Sequence, residues 1–179
     1  IEYQSSNAYI DVQGGTLTVG GQIRRSYNVT TGDLHYSQSG GDVVILGLNR
    51  DNGQPATKRR GLIEVCNNGS FDMTGGTLTF AGNAHNDDNY VDILLTPATS
   101  SATGGTLFVG TGTSQTFVMN ASAQLPNITV GTETATHTLK LVTNHVDING
   151  SVYIYSGSVF NANSYNVNIA GNLFSYLSG

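Results

Sequence analysis

Apolar residues recur at every second position in short bursts along this chain: Leu17 and Val19, Val43 and Ile45, Leu78 and Phe80, Leu107 and Val109. A period of two predicts a β-strand with one buried face. The residues between are mostly Thr, which suits an exposed strand face. Each burst follows a glycine pair, in Gly14-Gly15-Thr16-Leu17-Thr18-Val19, Gly40-Gly41-Asp42-Val43-Val44-Ile45, Gly75-Gly76-Thr77-Leu78-Thr79-Phe80 and Gly104-Gly105-Thr106-Leu107-Phe108-Val109. Two glycines permit a turn with positive φ, so each copy predicts a turn and then a short strand. Such a unit cannot bury its apolar face alone, and the copies must stack.

The starts at 14, 40, 75 and 104 give spacings of 26, 35 and 29. A second match supports the repeat. Arg24-Arg25 lies 16 residues before Gly40 and Arg59-Arg60 lies 16 before Gly75. This offset predicts that the two Arg pairs sit near each other, one rung above the other.

Read in order, Tyr9-Ile10-Asp11-Val12 is a strand leading into the first corner. Residues 14–39 form a rung with strands near 16–19, 26–29 and 34–36, followed by rungs at 40–74, 75–103 and 104–130, the last with strands near 106–109, 116–119 and 127–130. The polar stretch 48–60 holds Asn52-Gly53 and Pro55 and reads as a loop leaving the body. A second loop, 84–90, precedes Val91-Asp92-Ile93-Leu94-Leu95. From 131 on the glycine pair is lost and the rungs tighten around Leu139-Lys140-Leu141, Val146-Asp147-Ile148, Val152-Tyr153-Ile154 and Val167-Asn168-Ile169.

An antiparallel sandwich or barrel also uses many short strands. It has no need of similar segments at a fixed offset, whereas a solenoid does. The expected fold is therefore all-β, a right-handed parallel β-helix built from irregular rungs of roughly 20–35 residues. It forms one unit over 1–179, with glycine-marked rungs in 1–130 and tighter ones in 131–179. The pattern breaks off mid-rung at both ends, which predicts a segment of a longer array without its caps.

Charged residues are 11% of the chain, against ~25% in ordinary globular proteins. Disorder is excluded by the regular alternation and by a 38% hydrophobic content. A net charge of −5 with no basic region argues against nucleic acid. No stretch approaches the ~18 apolar residues of a membrane-spanning helix. Ile1-Glu2-Tyr3-Gln4 has neither the basic nor the apolar region of a signal peptide. The single cysteine, Cys66, allows no internal disulfide and reads as a small buried hydrophobe.

Three stretches carry a resemblance: Gly14–Gly20, the run Gly21-Gln22-Ile23-Arg24-Arg25-Ser26, and 156–172. They resemble the repeats of very large secreted proteins of the Bacteroidota, which are similar to surface adhesins and are typically exported by the type IX secretion system. The resemblance covers essentially the whole chain and implies a β-helical stalk, an extracellular location and no catalysis in this segment. It assigns no functional residue.

Pectin-cleaving enzymes share this scaffold, and their motifs are the ones to compare with this chain. Asp87 and Asp88 look superficially like the paired acids of polygalacturonases, which need an acid and a base across the scissile bond. The Gly-His-Gly and Arg-x-Lys motifs of those enzymes are absent from His35, His85, His137, His145 and their neighbours. Asp87, Asp88 and Asp92 could offer oxygens to calcium, although their spacing fits neither an EF-hand nor the nonapeptide calcium repeat. The histidines show no zinc spacing, and no Gly-x-Ser-x-Gly elbow marks a serine nucleophile. Lys58, Arg59 and Arg60 in the first loop, and the outward-facing Tyr153 and Tyr155, are candidate surface contacts. Tyrosine rings can stack on sugars.

The sequence therefore predicts a non-catalytic stalk of a secreted or cell-surface bacterial protein. No cofactor is implied beyond the weak calcium candidates. Partners would be extracellular surfaces or polysaccharides and, by resemblance, the type IX machinery, without nucleic acid or membrane insertion. The alternative is a carbohydrate-binding or polysaccharide-cleaving module on the same scaffold. Convergence of Asp87, Asp88 and Asp92 with Arg59 or Arg60 would favour that alternative.

Overall fold

The computed structural model describes residues 1–48, 54–85 and 88–176. In it the glycine pairs make the corners. Gly15, Gly41, Gly76 and Gly105 have φ of 71°, 68°, 76° and 85°. This is a region that a Cβ disfavours. The first glycine of the later pairs, Gly40, Gly75 and Gly104, serves a different need, close approach between coils. A Cβ on Gly75 would lie 2.4 Å from the Ser39 carbonyl oxygen, and one on Gly104 equally close to that of Thr74.

From these corners the chain winds through three faces in a fixed order. The first coil places β1 (Glu2–Tyr3) on the third face, β2 (Ala8–Val12) on the first and β3 (Thr16–Val19) on the second. β4 (Arg24–Arg25), β5 (Leu34–Gln38) and β6 (Asp42–Ile45) repeat it. Next come β7 (Ile63–Cys66) and the long β8 (Ser70–Phe80), then β9 (Ile93–Thr96) and β10 (Thr99–Val109). β8 and β10 each cross from the first face to the second at their glycine pair. Three tighter coils follow: β11 (Thr116–Ala121), β12 (Gln124–Leu125) and β13 (Asn127–Val130); β14 (Thr138–Leu141), β15 (Val146–Ile148) and β16 (Val152–Ile154); β17 (Val159–Asn161), β18 (Val167–Ile169) and β19 (Leu173–Ser175). All strand pairings among the described residues are parallel. The fold is a parallel β-helix.

Register carries the core. On the second face Leu17, Val43, Leu78, Leu107, Ile128, Val152 and Leu173 stand in one inward column. Val19, Ile45, Phe80, Val109, Val130 and Ile154 stand in the next. Val43, Leu78, Phe80, Leu107, Val109, Ile128 and Val130 are fully buried, while Leu17, Ile154 and Ile169 towards the two ends are partly so. A fully buried aliphatic or aromatic side chain contributes about 1.5–3 kcal/mol, against at most about 1 for an exposed ion pair. The columns, not the sparse charges, hold the coils together. Cys66 is a free, buried thiol. Burial pushes its pKa up.

The repeat spacings match the registers. Thr16 pairs with Asp42, Asp42 with Thr77 and Thr77 with Thr106, which are offsets of 26, 35 and 29. Three expectations need correction. The strand expected near 26–29 is a turn, and the chain is extended at Arg24–Arg25 instead. The coils tighten one level earlier than expected, since Thr106 already pairs with Asn127. The two Arg pairs are not rung equivalents. On the third face Ile23 bridges to Ile63, which sets Arg24-Arg25 beside Glu64-Val65. The 35-residue offset fails there because the turn between β4 and β5 is longer than that between β7 and β8.

Gly14 and Gly75 open the same pentapeptide, yet a Cβ on Gly14 meets nothing within 4 Å. We predict that Gly75→Ala costs about 1–3 kcal/mol through forced backbone movement, while Gly14→Ala stays within about 0.5 kcal/mol. Urea unfolding midpoints of the two variants check this, and equal shifts would refute it.

Candidate functional site

The charged loop residues separate rather than converge. Lys58 ends a short 3-10 turn (Ala56–Lys58) with no buried residue. Arg59 stacks its guanidinium over the Tyr90 ring at 4.1 Å and donates from Nε to the Gln54 carbonyl at 3.2 Å. This contact joins the loop before β7 to the loop before β9. Arg60 is not at the surface: it is only 8% exposed and donates to the carbonyls of Ser26, Tyr27 and Val29, each at 3.3 Å. Its own carbonyl accepts from Gln22 Nε2 at 2.9 Å. Burying a guanidinium requires such acceptors, and the 26–29 turn supplies them.

Glu64 lies next to this knot. Its Oε2 accepts from Arg25 Nε at 3.0 Å, and both side chains are nearly buried. Tyr3 donates its hydroxyl to the Glu64 carbonyl at 2.6 Å. Arg24 pairs with Glu2 at 3.2 Å and covers the Tyr27 ring at 3.9 Å. These groups tie the first coils to one another and leave no open acid–base pair.

The calcium candidates also part. Asp87 lies outside the described residues, and Asp88 is exposed. Asp92 is buried, with Oδ1 accepting the Ala84 amide at 2.7 Å and Oδ2 the Val118 amide at 2.8 Å. Its two oxygens thus fasten Ala84 and Asp92 to Val118 within β11. Burial pushes its pKa up to about 7, against the pull of the amides that donate to it. No cluster of three or more His, Cys, Asp or Glu able to hold a metal occurs among the described residues.

Tyr153 and Tyr155 do face outward, and they are joined by Phe174 and Tyr176 of the next coil. Tyr153 stacks on Phe174 with ring centres 4.9 Å apart and planes 11° apart, and Tyr155 stacks on Tyr176 at 5.0 Å and 27°. The signal was available in sequence. Val152-Tyr153-Ile154-Tyr155 recurs 21 residues later as Leu173-Phe174-Ser175-Tyr176, the register of β16 on β19. Rings that stack along the axis cover one another's faces and turn their edges to solvent. A sugar ring, which prefers an aromatic face, finds one only beyond Phe174 and Tyr176. That end is apolar, with a cavity of about 210 Å³ lined by Val152, Ile154, Phe160, Val167, Ile169 and Leu173.

A polar groove of about 300 Å³ lies at the corner between the second and third faces, lined by Ser114, Gln115, Thr116, Thr136, His137, Thr138 and Gly157. It offers hydroxyls and amides but no carboxylate. On the first face His35 stacks under the exposed Tyr9 at 4.8 Å and sits 3.2 Å from Ser70 Oγ. This pair lies on a flat sheet surface, since His35 and Ser70 are cross-strand neighbours in β5 and β8.

Asp92→Asn replaces an acceptor by a donor facing an amide. We predict a loss of about 1–3 kcal/mol near neutral pH. In the native chain the folded state retains a proton on Asp92 above the unfolded pKa of ~3.9, so this group's contribution falls as pH rises from about 4 to about 7. Thermal melts across that range should show the slope, and Asp92→Asn should remove it. Comparison with models of protein families, with curated proteins and with solved structures finds no match to this chain.

Proposed function

We propose that this segment is a structural stalk of a large bacterial surface or secreted protein, a stiff rod that carries adhesive elements away from the cell. The observation that supports this best is the constancy of the ladder against the variability of the coils. Coil length varies from 21 to 35 residues, yet the inward column on the second face stays in register through seven levels. Excess residues among the described ones leave at the corners, as in the turn between β4 and β5. Seven levels at about 4.8 Å each give an axial rise of roughly 30 Å. In such a stack each coil supports its neighbours, and load along the axis is shared over three ladders.

The extracellular setting and export by the type IX route rest on the resemblance of 14–26 and 156–172 to Bacteroidota adhesin repeats. The second reading, a carbohydrate-binding or polysaccharide-cleaving module, draws on the outward rings of Tyr153, Tyr155, Phe174 and Tyr176. Their mutual stacking favours a packing role over sugar contact.

Single-molecule pulling of the segment from its two ends tests the stalk reading. Stepwise release of one coil at a time is expected, each step adding about 7–12 nm of contour at roughly 3.4 Å per residue. Rupture of the whole segment in one low-force event, or cleavage of an acidic polysaccharide by the folded segment, would reject it.

A further inference from the structure

At the corner between the second and third faces, one polar side chain per coil accepts the amide of the coil before it. Gln115 Oε1 accepts from the Asn83 amide at 3.0 Å, His137 Nδ1 from the Gln115 amide at 3.3 Å, and Ser158 Oγ from the His137 amide at 3.1 Å. Gln115, His137 and Ser158 each stand immediately before a third-face strand, β11, β14 or β17. The imidazole of His137 is the one titratable acceptor of the three.

Its setting is fixed on every side. His137 is 2% exposed. A Cβ on Gly110 (φ 87°) would lie 2.2 Å from its ring, so the ring rests flush on the backbone after β10. The Phe117 ring closes another side at 5.9 Å. Nδ1 accepts an N–H, so the neutral ring carries its proton on Nε2, and Nε2 is buried without a partner. The groups against the ring, Gly110, Gln115, Phe117 and Ser158, carry no charge. Burial accordingly holds the pKa of His137 below the ordinary imidazole value. His145 makes a contrasting case. Its Nδ1 also accepts an amide, from Asn166 at 2.7 Å, but the residue is exposed and its ring lies beside water.

We propose that His137 is an acid-sensitive pin of the β-helix, whose protonation releases the Gln115 amide and loosens the corner around it, where Thr138 N–H to the Gln115 carbonyl and Ser114 to Thr136 are the remaining ties. The second proton must go to Nδ1, where it meets the Gln115 N–H head on. The charge would then sit in an uncharged pocket without an acceptor. Relief comes from swinging the ring out into the adjoining polar groove of about 300 Å³, and that motion frees the Gln115 amide, while the His137 amide keeps its bond to Ser158 Oγ. The sign follows from the lowered pKa. The pin holds fully above the unfolded value of ~6.5. Its hold is lost as pH falls below that value, because the open state takes up a proton that the closed state refuses.

Amide hydrogen exchange between pH 7.5 and 5.0, corrected for the intrinsic rate at each pH, tests the proposal. The opening constant read at Gln115 is expected to rise up to ~tenfold per pH unit below ~6.5. The Ser151 amide, held by the non-titrating Asn127 Oδ1 at 2.8 Å, should stay flat. His137→Gln keeps an acceptor that does not titrate, as Gln115 does one coil earlier, and should abolish the rise. An unchanged rise in His137→Gln would overturn the proposal. If that variant does not fold, ring titration of the native protein by NMR decides: a His137 pKa at or above 6.5 overturns the proposal, and one clearly below it, with the acid-dependent opening at Gln115, supports it.

Discussion

The amide ladder that runs along the axis, from each coil to the next, is the constraint on which this structure depends. Parallel pairing fixes the separation of successive coils at about 4.8 Å on every face. Anything at a corner that cannot tolerate that separation is excluded. The paired glycines follow from it. A Cβ on Gly75 would stand 2.4 Å from the Ser39 carbonyl oxygen, closer than real Cβ atoms approach. The poverty in charge follows as well, because a side chain inside the prism has no water and those outside stand one coil from a copy of the same position. A column of like charges at that spacing would repel, whereas columns of Thr, Ser and Asn do not.

The charges that remain near the first coils are therefore largely turned to structural use. Arg60 is wrapped by three carbonyls, Glu64 is held by Arg25, and Asp92 receives two amides. A buried ion contributes only when it is well partnered, and Glu64 and Asp92 have both oxygens engaged while Arg60 donates to three carbonyls. The same contacts withdraw them from chemistry. A carboxylate with both oxygens accepting backbone amides has little left to offer a metal or a substrate. This bears on the functional reading, because a sugar-cleaving groove would have needed Asp92 to converge with Asp87, Asp88 and either Arg59 or Arg60.

Much of the fold was legible in the sequence. The alternation of Leu17 with Val19 and of Leu78 with Phe80, and the offsets between glycine pairs, specify strand, face and register together. Such features are repeated, so each copy checks the others. The third face was less legible. β4 is two arginines and β1 is Glu2–Tyr3, neither of which shows an apolar alternation, and the turn lengths differ from coil to coil. The interior placement of Arg60 was hidden for a related reason. Its acceptors are main-chain carbonyls of a turn, which have no signature in side-chain type. The aromatic columns were legible and overlooked, since their 21-residue offset belongs to the tight coils and not to the glycine-marked ones.

The change from glycine-marked to tight coils is a change in how corner amides are satisfied. In the early coils the amide after the corner bonds a backbone carbonyl, as Asp42 does to Gly15 at 2.8 Å and Thr77 to Gly41 at 3.0 Å. That geometry needs the positive φ of the second glycine. From Asn127 on, the equivalent amide is taken by a side chain instead: Ser151 donates to Asn127 Oδ1 at 2.8 Å and Asn172 to Ser151 Oγ at 3.0 Å. Gln115, His137 and Ser158 do the same at the next corner. A side-chain acceptor reaches across a sharper corner than a carbonyl fixed in the main chain, so the coil can close in fewer residues. The Asn and Ser content that resembles low complexity in 144–172 is in part the set of acceptors that lets the coil shorten to 21 residues. It also makes the corners chemically unequal. A corner closed by glycine or Asn is indifferent to pH, and one closed by a buried imidazole is not.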